Sequence, residues 1–356
     1  MATPSSSNPP FPAELPIVQA PMAGVQDSAL TLAVSEAGAL GSLACAMLSS
    51  DALQSELDAI QSAGCRNYNL NFFCHSAADA DAQREARWRQ ALDPYYREYG
   101  IAPDVVAGGA GRAPFCAATL DLIQPYRPPV VSFHFGLPRH EWIDAIKAWG
   151  GSVWSTATTV EEARWLESHG ADAVIAQGVE AGGHRGMFLT RDLSSQTGTV
   201  ELLASILEAV SIPVIAAGAI ASPDAVRDAI DSGAWAVQAG TAYLCCSEAK
   251  TTPLHRQLLE GEGQPPTELT NVFSGRAARG IVNRLISELG PISDLTPEFP
   301  GAATALAPLR SAAEALGHTD FSPLWCGTDA SACRRVDAGE QTGWLASKLP
   351  RRATLR

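Results

Sequence analysis

The sequence predicts an α/β fold, a (β/α)8 TIM barrel with an insertion after the third strand and a helical cap at the C-terminus. Short apolar segments alternate with amphipathic helical segments along most of the chain. Apolar runs too short for helices are typical of strands in a parallel sheet that helices cover. About eight such strands fit, which favours a closed barrel. The doubly wound alternative needs a Gly-x-Gly-x-x-Gly turn after an early strand, and the sequence has none there.

Two similar segments show how the predicted strands begin. Gly170-Ala-Asp-Ala-Val174 and Gly233-Ala-Trp-Ala-Val237 each place a helix-ending glycine directly before an apolar strand. The other strands follow from the same alternation of apolar and amphipathic segments. We predict strands at residues 15–20, 39–44, 68–72, 129–133, 152–155, 173–176, 212–216 and 235–238.

The predicted helices begin at recognisable capping residues. Ser222 is a good N-cap with Pro223 at the first helical position, and Thr158 with Glu161 forms a capping box. Residues 75–129 interrupt the alternation with a polar helix and a strand–helix pair near 104–124. The alternation stops near residue 260, where we expect the cap, with a loop leading into a helix at 274–290. Other helices are predicted at residues 28–38, 49–63, 79–92, 139–149, 160–169, 222–231 and 301–316.

Composition indicates one globular domain. Residues 1–14 are rich in Ser and Pro and lack the basic and apolar regions of a signal peptide, so we predict a disordered lead. Residues 15–356 form the single barrel domain, including the C-terminal helical region from about residue 260. A net charge of −13 argues against nucleic-acid or anionic-membrane partners. The 8 cysteines lack metal-ligand or disulfide spacing, which predicts a cytoplasmic protein with reduced thiols.

The active site of a barrel lies at the carboxyl ends of its strands. Small residues at 217–220 and 238–241, after the seventh and eighth strands, allow backbone N–H groups to approach a phosphate, and the helix from Pro223 adds its positive end. Gly182 and Gly183, after the sixth strand, permit close approach to a flat ring or an anion. These positions predict a phosphate-bearing ligand at the barrel mouth.

Two histidines at strand ends are candidates for acid–base chemistry. His134 follows the fourth strand and His184 the sixth, so both can face one cavity, and histidine titrates near neutral pH. The remaining histidines are interpreted as structural, with His75 the closest to a strand end. The pair Cys245-Cys246 is interpreted as buried packing. No metal-ligand spacing and no Gly-x-Ser-x-Gly hydrolase turn is present.

Several motifs together resemble class I nitronate monooxygenases over nearly the whole chain. The similar segments are Pro21-Met-Ala-Gly24, Asn71, Ser132-Phe-His-Phe-Gly136, Gln177 to Gly186, Ala216-Ala-Gly218, Gln238 to Thr241, Asn271 to Asn283 and Asp320 to Trp325. Glu180-Ala-Gly-Gly-His184 belongs to the wider superfamily, and Ser132 to Gly136 narrows the resemblance. One departure is Ala219, because the family usually has a second glycine after the one that matches Gly218.

The resemblance implies non-covalently bound FMN at the barrel mouth. Backbone around Met22, Ala23 and Gly24 would line the isoalloxazine ring, Asn71 and Gln177 would offer polar side chains, and Gly182 and Gly183 would pass close to the flavin. Gly218, Gln238, Ala239, Gly240 and Thr241 would hold the phosphate. His184 matches the catalytic histidine of the family, and His134 a second active-site histidine. No metal is implied.

The implied reaction is oxidation of alkyl nitronates by O2 to carbonyl compounds and nitrite, through one-electron transfer to the flavin. A protonated His184 would hold the nitronate anion, whereas a neutral His184 would take the α-proton of a nitroalkane, and the sequence leaves both open. The alternative functions are an NAD(P)H-dependent flavin reductase of enoyl thioesters or quinones, and a barrel that binds a phosphate ligand without catalysis. The substrates would be small molecules and O2.

Overall fold

The barrel predicted from the sequence is confirmed. The computed structural model describes residues 9–76, 81–102 and 112–350. The strands are β1 (Ile17–Gln19), β2 (Gly41–Ala44), β3 (Tyr68–Phe73), β4 (Val130–His134), β5 (Ser152–Ala157), β6 (Ala173–Gln177), β7 (Gly183–His184), β8 (Val214–Ala217), β9 (Ala236–Ala239), β10 (Thr267–Thr270) and β11 (Ala278–Ile281). Eight of these strands run parallel in the order β1-β9-β8-β6-β5-β4-β3-β2.

Hydrogen bonds between β1 and β2 close the barrel. The N–H of Gln19 donates to the carbonyl of Leu40 at 3.0 Å, and the N–H of Leu40 donates to the carbonyl of Ile17 at 2.9 Å. Val18, Leu40, Val130 and Ile175 from four parts of the barrel are buried in one apolar core cluster. Closure leaves no exposed sheet edge and brings all eight carboxyl ends to one face of the barrel.

Helices cover the outside of the barrel and one end of it. They are α1 (Ser28–Glu36), α2 (Ser50–Ser62), α3 (Ala82–Glu98), α4 (Ala117–Ile123), α5 (His140–Ala148), α6 (Val160–Ser168), α7 (Thr199–Ala209), α8 (Pro223–Asp231), α9 (Pro253–Leu259), α10 (Arg284–Leu289), α11 (Ala302–Ala315) and α12 (Ala338–Leu345). Across the described ranges, no helix combines the length and the apolar character needed to cross a membrane.

The helix predictions are wrong or incomplete at four helices. The N-cap of α6 is Thr159, one residue later than predicted, and its hydroxyl accepts the N–H of Glu162 at 3.2 Å. Glu162 is buried whereas Glu161 is exposed, so the capping box uses the inward-facing carboxylate. Helix α7 was not predicted, because its N-cap is Gly198, which has no side chain to mark the start of a helix; the carboxylate of Glu180 caps it instead. Helices α9 and α12 were not predicted either.

The insertion and the C-terminal region pack on each other. Helix α3 starts at Ala82 and ends at Glu98, later than the predicted 79–92, and it packs against α11. The indole N–H of Trp88 on α3 donates to the carbonyl of Ala302 at 3.2 Å. The strand predicted near residue 104 falls largely outside the described residues, whereas the helix of that pair is α4. The predicted insertion and cap are confirmed.

A second, three-stranded sheet joins the cap to the barrel loops. Strands β10 and β11 are antiparallel, and β11 also pairs with the two-residue strand β7, so that Ala278 faces His184. The N–H of Arg185 extends this pairing by donating to the carbonyl of Ala277 at 2.9 Å. Strand β7 belongs to the loop after β6, so the cap and that loop share one small sheet.

The lead predicted to be disordered is partly packed, and the prediction is wrong for residues 9–14. Phe11 is 7% exposed and lies 5.0 Å from the ring of Trp235 and 6.2 Å from that of Trp154. The indole N–H of Trp235 donates to the carbonyl of Pro9 at 3.1 Å. These contacts cover the amino-terminal end of the barrel, and burial of the ring offsets the cost of ordering a Pro-rich segment. Residues 1–8 lie outside the described part.

The cysteine pair packs as the sequence predicts. All eight cysteines are free thiols. Cys245 and Cys246 are buried in two neighbouring apolar clusters, and burial raises the pKa of Cys246 to about 12.

We expect Phe11→Ala to lower the free energy of unfolding by about 3–5 kcal/mol, because it removes a buried aromatic ring from the barrel end. Urea denaturation at neutral pH measures the change. Phe11→Leu is the matched control and should recover more than half of the loss. Equal stability of the alanine variant and the original chain would contradict the packing of this segment.

Candidate active site

One cavity of about 250 Å³ opens at the carboxyl ends of the barrel strands. It brings together every residue that the sequence analysis proposed for cofactor binding or catalysis. These are Met22, Ala23, Gly24, Asn71, His134, Gln177, Gly182, Gly183, His184, Gly218, Gln238, Ala239, Gly240 and Thr241. The cavity also receives side chains from the insertion and the cap, which the sequence did not assign to it: Arg112, His255, Arg310 and Trp325.

His184 presents one side of its ring to this cavity. Its Nε2 lies 2.8 Å from the hydroxyl of Ser274, a residue of the cap segment that is 1% exposed. Its Nδ1 has no hydrogen-bond partner among the described residues, and His184 lines the cavity. The arrangement leaves Nδ1 as the ring atom that can exchange a proton or a hydrogen bond with a ligand.

The backbone carbonyl of His184 is held by two side chains. The amide Nε2 of Gln177 donates to it at 2.9 Å, and the Nε2 of His134 does so at 3.1 Å. The Oε1 of Gln177 accepts the N–H of Gly186 at 2.8 Å. The Gln177 amide therefore orients the loop, and one of its N–H groups remains for a ligand.

The hydrogen bonds of His134 define its tautomer. A carbonyl only accepts, so the Nε2 that contacts the His184 carbonyl carries the hydrogen. The Nδ1 of His134 then accepts from the hydroxyl of Thr156 at 3.1 Å. Burial lowers the pKa of His134 to about 4, which keeps the ring neutral. Both ring nitrogens of His134 are hydrogen-bonded to protein atoms, so the geometry gives His134 the role of positioning the backbone of His184.

A buried polar network supports the rest of this loop. The Arg185 guanidinium donates to the carbonyls of Gln177 and Gly178, both at 2.6 Å. The carboxylate of Glu162 accepts the N–H of Phe188 at 2.6 Å. Glu180, the first residue of the Glu-Ala-Gly-Gly-His segment, accepts from the N–H and hydroxyl of Thr199 at 2.9 and 2.8 Å. Glu180 therefore caps α7.

The environment of His184 favours its neutral form. Burial, followed by the positive charge of Arg112 and by His134 and Arg276, holds its pKa well below the ordinary value. The rings of Trp325 and Phe299 lie 5.3 and 5.4 Å from the imidazole. At neutral pH the ring can therefore act as a hydrogen-bond donor or as a base, depending on its tautomer.

A strained residue beside His184 was not found in the sequence. Phe135 has a φ of 70°, in the left-handed region that aromatic residues rarely adopt. The strain places its ring 6.1 Å from that of His184 and 4.2 Å below the guanidinium carbon of Arg276. Backbone strain of this kind persists where the surroundings compensate for it, and it concentrates at functional sites. Sequence composition gives no signal for it.

Polar residues of the cap segment have separate roles. Arg276 approaches the site through Phe135 and donates to the carbonyl of Met187 at 3.1 Å. Arg279 donates to the carbonyl of Val179 at 2.8 Å and so supports the loop after β6 that carries His184. The side chain of Asn283 caps α10.

Two further histidines are buried near the site. His75 packs 4.9 Å from the ring of Phe299 and lies outside the cavity lining, and its pKa is lowered to about 4 by burial. His255 was interpreted as structural from its position on a helix, yet it lines the cavity. Its Nε2 is buried without a partner among the described residues, and burial lowers its pKa to about 4.

The turns after β8 and β9 form a cradle of backbone donors. Among the described residues, no acceptor takes the N–H groups of Gly218, Ala219, Gly240 or Thr241. Gly218 has a φ of 122°, and a Cβ there would lie 2.4 Å from the Thr199 hydroxyl. Ala219 has a φ of 52°, so this departure from two glycines is accommodated with backbone strain of about 1–2 kcal/mol.

The residues present fit FMN. The free N–H groups of the cradle suit a phosphate. The buried Oε1 of Gln238 has no partner among the described residues and lines the cavity, so it can accept from a ligand hydroxyl or N–H. Gly24 and Gly183 face open space, whereas a Cβ on Gly182 would lie 2.6 Å from the backbone of the cap at Gly327. Gly182 is therefore required by protein packing.

Comparisons with known proteins agree on one family. The family model described as nitronate monooxygenase matches residues 10–341. A protein named nitronate monooxygenase from Pseudomonas aeruginosa is 38% identical over 94% of this chain and 96% of its own length. One of the same name from Paraburkholderia phytofirmans is 36% identical over 94% of this chain and 92% of its own.

A solved structure shows the same likeness in three dimensions. The nitroalkane oxidase from Streptomyces ansochromogenes has a TM-score of 0.86 and 36% sequence identity, covering 95% of this chain and 96% of its own.

We expect Gly218→Ala to lower the free energy of unfolding by about 2–4 kcal/mol, because the added Cβ meets the Thr199 hydroxyl and the backbone is in a glycine-only conformation. Ala219→Gly, in the same turn, should leave stability within about 1 kcal/mol, since relief of strain offsets the greater freedom of the unfolded chain. Thermal unfolding measures both. Equal loss in the two variants would contradict this account of the turn.

Stability should fall as the solution is acidified below about pH 6.5. His75, His134 and His255 have folded-state pKa values near 4, below the unfolded value near 6.5, so the unfolded chain binds more protons. The stabilisation is complete above about 6.5 and is lost toward pH 4, by up to about 1.4 kcal/mol per pH unit per histidine. Urea titrations between pH 7.5 and 5 measure the slope. His255→Gln should reduce the slope, and the control Gln257→Ala on the same helix should not; a pH-independent stability would contradict the buried neutral histidines.

Proposed function

The chain belongs to the nitronate monooxygenase family, and on this premise we propose that it oxidises alkyl nitronates with O2 to carbonyl compounds and nitrite, with FMN as cofactor. The observation that carries the proposal is the placement of His184. His184, whose Nδ1 has no partner among the described residues, lines the same cavity as the free N–H groups of the β8 and β9 turns. A proton-exchanging group and a phosphate cradle thus serve one ligand site.

In this proposal the cradle residues bind FMN at its phosphate, and Gln238 accepts a hydrogen bond from it. Met22, Ala23 and Gly24 line the flavin ring, and the remaining N–H of Gln177 and the amide of Asn71 contact its polar edge. FMN, when bound, supplies the acceptor for substrate electrons and passes them to O2. Residues 15–356 act as one FMN-binding domain, because Arg310 and Trp325 of the cap line the same cavity.

The substrate of this proposal is a nitronate, whose negative charge is shared between a carbon and two oxygens. Arg112 lines the cavity, so the site has a positive charge that attracts an anion. A neutral His184 with hydrogen on Nδ1 donates to a nitronate oxygen. The aromatic rings beside His184 exclude water on the cap side and strengthen that interaction.

The first test is oxygen uptake by the purified, FMN-loaded protein with propyl 2-nitronate, alongside anaerobic mixing with NADPH. Uptake that depends on the nitronate and releases nitrite, with no bleaching of the flavin by NADPH, supports the proposal. Fast bleaching by NADPH without nitronate-dependent uptake would replace it with a reductase function. Purified protein that binds no FMN would overturn the cofactor assignment.

We expect His184→Asn to retain FMN and to lose turnover. The asparagine leaves the cradle intact but lacks the Nε2 that Ser274 contacts, so its donor is no longer fixed toward the nitronate, and kcat/KM for the nitronate should fall by about 10²–10³. The visible spectrum of the protein measures FMN content, and oxygen uptake measures turnover. His140→Asn, an exposed position on α5, is the control and should match the original chain. Unchanged turnover in His184→Asn would remove His184 from the mechanism.

A further inference from the structure

Ser274 is the protein partner of the His184 ring. Its hydroxyl oxygen lies 2.8 Å from the Nε2 of His184 and 3.3 Å from the carbonyl oxygen of Arg276. It is 1% exposed, so bulk water does not compete for these bonds. A serine hydroxyl has one hydrogen to donate, and here two acceptors lie within its reach.

Each orientation of the hydroxyl requires a different form of His184. When Ser274 donates to Nε2, that nitrogen carries no hydrogen, and the neutral ring has its hydrogen on Nδ1. When Ser274 donates to the Arg276 carbonyl, its oxygen accepts an N–H from Nε2, and Nδ1 carries the lone pair. Rotation about one bond therefore exchanges a donor for an acceptor at the atom that faces the cavity.

The backbone holds Ser274 firmly in this position. The next residue, Gly275, has a φ of 89°, and a Cβ there would lie 2.1 Å from the carbonyl oxygen of Pro297. The N–H of Gly275 donates to the carbonyl of Asn271 at 2.8 Å. Strand β11 follows and pairs with β7, so the turn and His184 share one small sheet. The hydroxyl can rotate while its oxygen stays in place.

We infer that the Ser274 hydroxyl selects the tautomer of His184, and that its orientation decides whether Nδ1 donates to a nitronate or takes the α-proton of a neutral nitroalkane. Ser274 is thus a positioning residue, and His184 performs both roles as a neutral ring. This inference rests on the proposed function, which it extends to a second substrate form.

The proton transfer from a nitroalkane is balanced within the site. The lone pair on Nδ1 takes the α-proton, the electron pair of the broken C–H bond forms the carbon–nitrogen double bond of the nitronate, and the N=O π pair moves onto a nitro oxygen. The ring becomes an imidazolium whose Nε2–H still donates to the Ser274 oxygen, while the Ser274 hydroxyl donates to the Arg276 carbonyl. The nitronate anion formed in this step lies beside the His184 imidazolium, which carries the transferred proton.

Ser274→Ala should separate the two substrates. Without a partner, an N–H on Nε2 would be buried and unsatisfied, so the hydrogen moves to Nδ1, which faces the cavity. The variant then lacks the basic form of Nδ1, and kcat/KM for neutral 2-nitropropane should fall by about 100-fold. For propyl 2-nitronate it should change by less than about threefold, because the donor form remains.

Ser274→Thr is the matched control, because it keeps the hydroxyl and should retain the original ratio of the two kcat/KM values to within about threefold. An equal effect of Ser274→Ala on both substrates would overturn the inference. The inference would also be overturned if the wild-type protein oxidised the nitronate but not 2-nitropropane, because the tautomer with a lone pair on Nδ1 would then have no role in turnover.

Nitrogen-15 NMR of histidine-labelled, FMN-loaded protein measures the tautomer without turnover. His184→Asn identifies the His184 signals by their loss. We expect the wild type at pH 7.5 to show hydrogen shared between both ring nitrogens, and Ser274→Ala to show hydrogen on Nδ1 alone. Identical spectra in the two proteins would overturn the inference, even if Ser274→Thr does not fold. Absence of nitronate oxidation by the wild type would reject the proposed function, while the spectra would still test Ser274.

Discussion

The two hydrogen bonds that the carbonyl oxygen of His184 accepts determine the geometry of the site. Gln177 and His134 come from the ends of β6 and β4, so the barrel itself fixes the backbone of the loop. These two bonds hold the backbone of His184, while its ring lines the cavity and contacts Ser274. His134 can do this only as a neutral ring, which its burial ensures.

Buried charge supports this loop, and each charge is hydrogen-bonded. Glu162 is fully buried and accepts from the backbone of Thr158 and Phe188, and Arg185 donates to the carbonyls of Gln177 and Gly178. An unsatisfied buried group costs about 1–3 kcal/mol, so removal of a single partner disturbs the whole loop. Through these bonds the network fixes the backbone carbonyls and N–H groups of the loop to side chains of the barrel.

The sequence was sufficient to predict the site residues whose positions follow from the geometry of the barrel. Residues near the carboxyl ends of the strands or in the loops that follow them, such as Asn71, His184 and Gly218, must meet at one face, so finding the strands is enough to place them. Ser274, Arg112 and His255 reach the cavity from segments outside the strand–helix alternation, and their positions depend on packing between distant parts of the chain. The left-handed Phe135 and the packed Phe11 likewise follow from tertiary contacts that override local preference.

The pairing of β7 with β11 has a consequence for how the cap can move. A cap joined to the catalytic loop by backbone hydrogen bonds cannot swing away as a hinged lid without unpairing that strand and releasing Ser274 from His184. We therefore expect the cap and the loop after β6 to move together when either is displaced, because the shared strand pairing joins them.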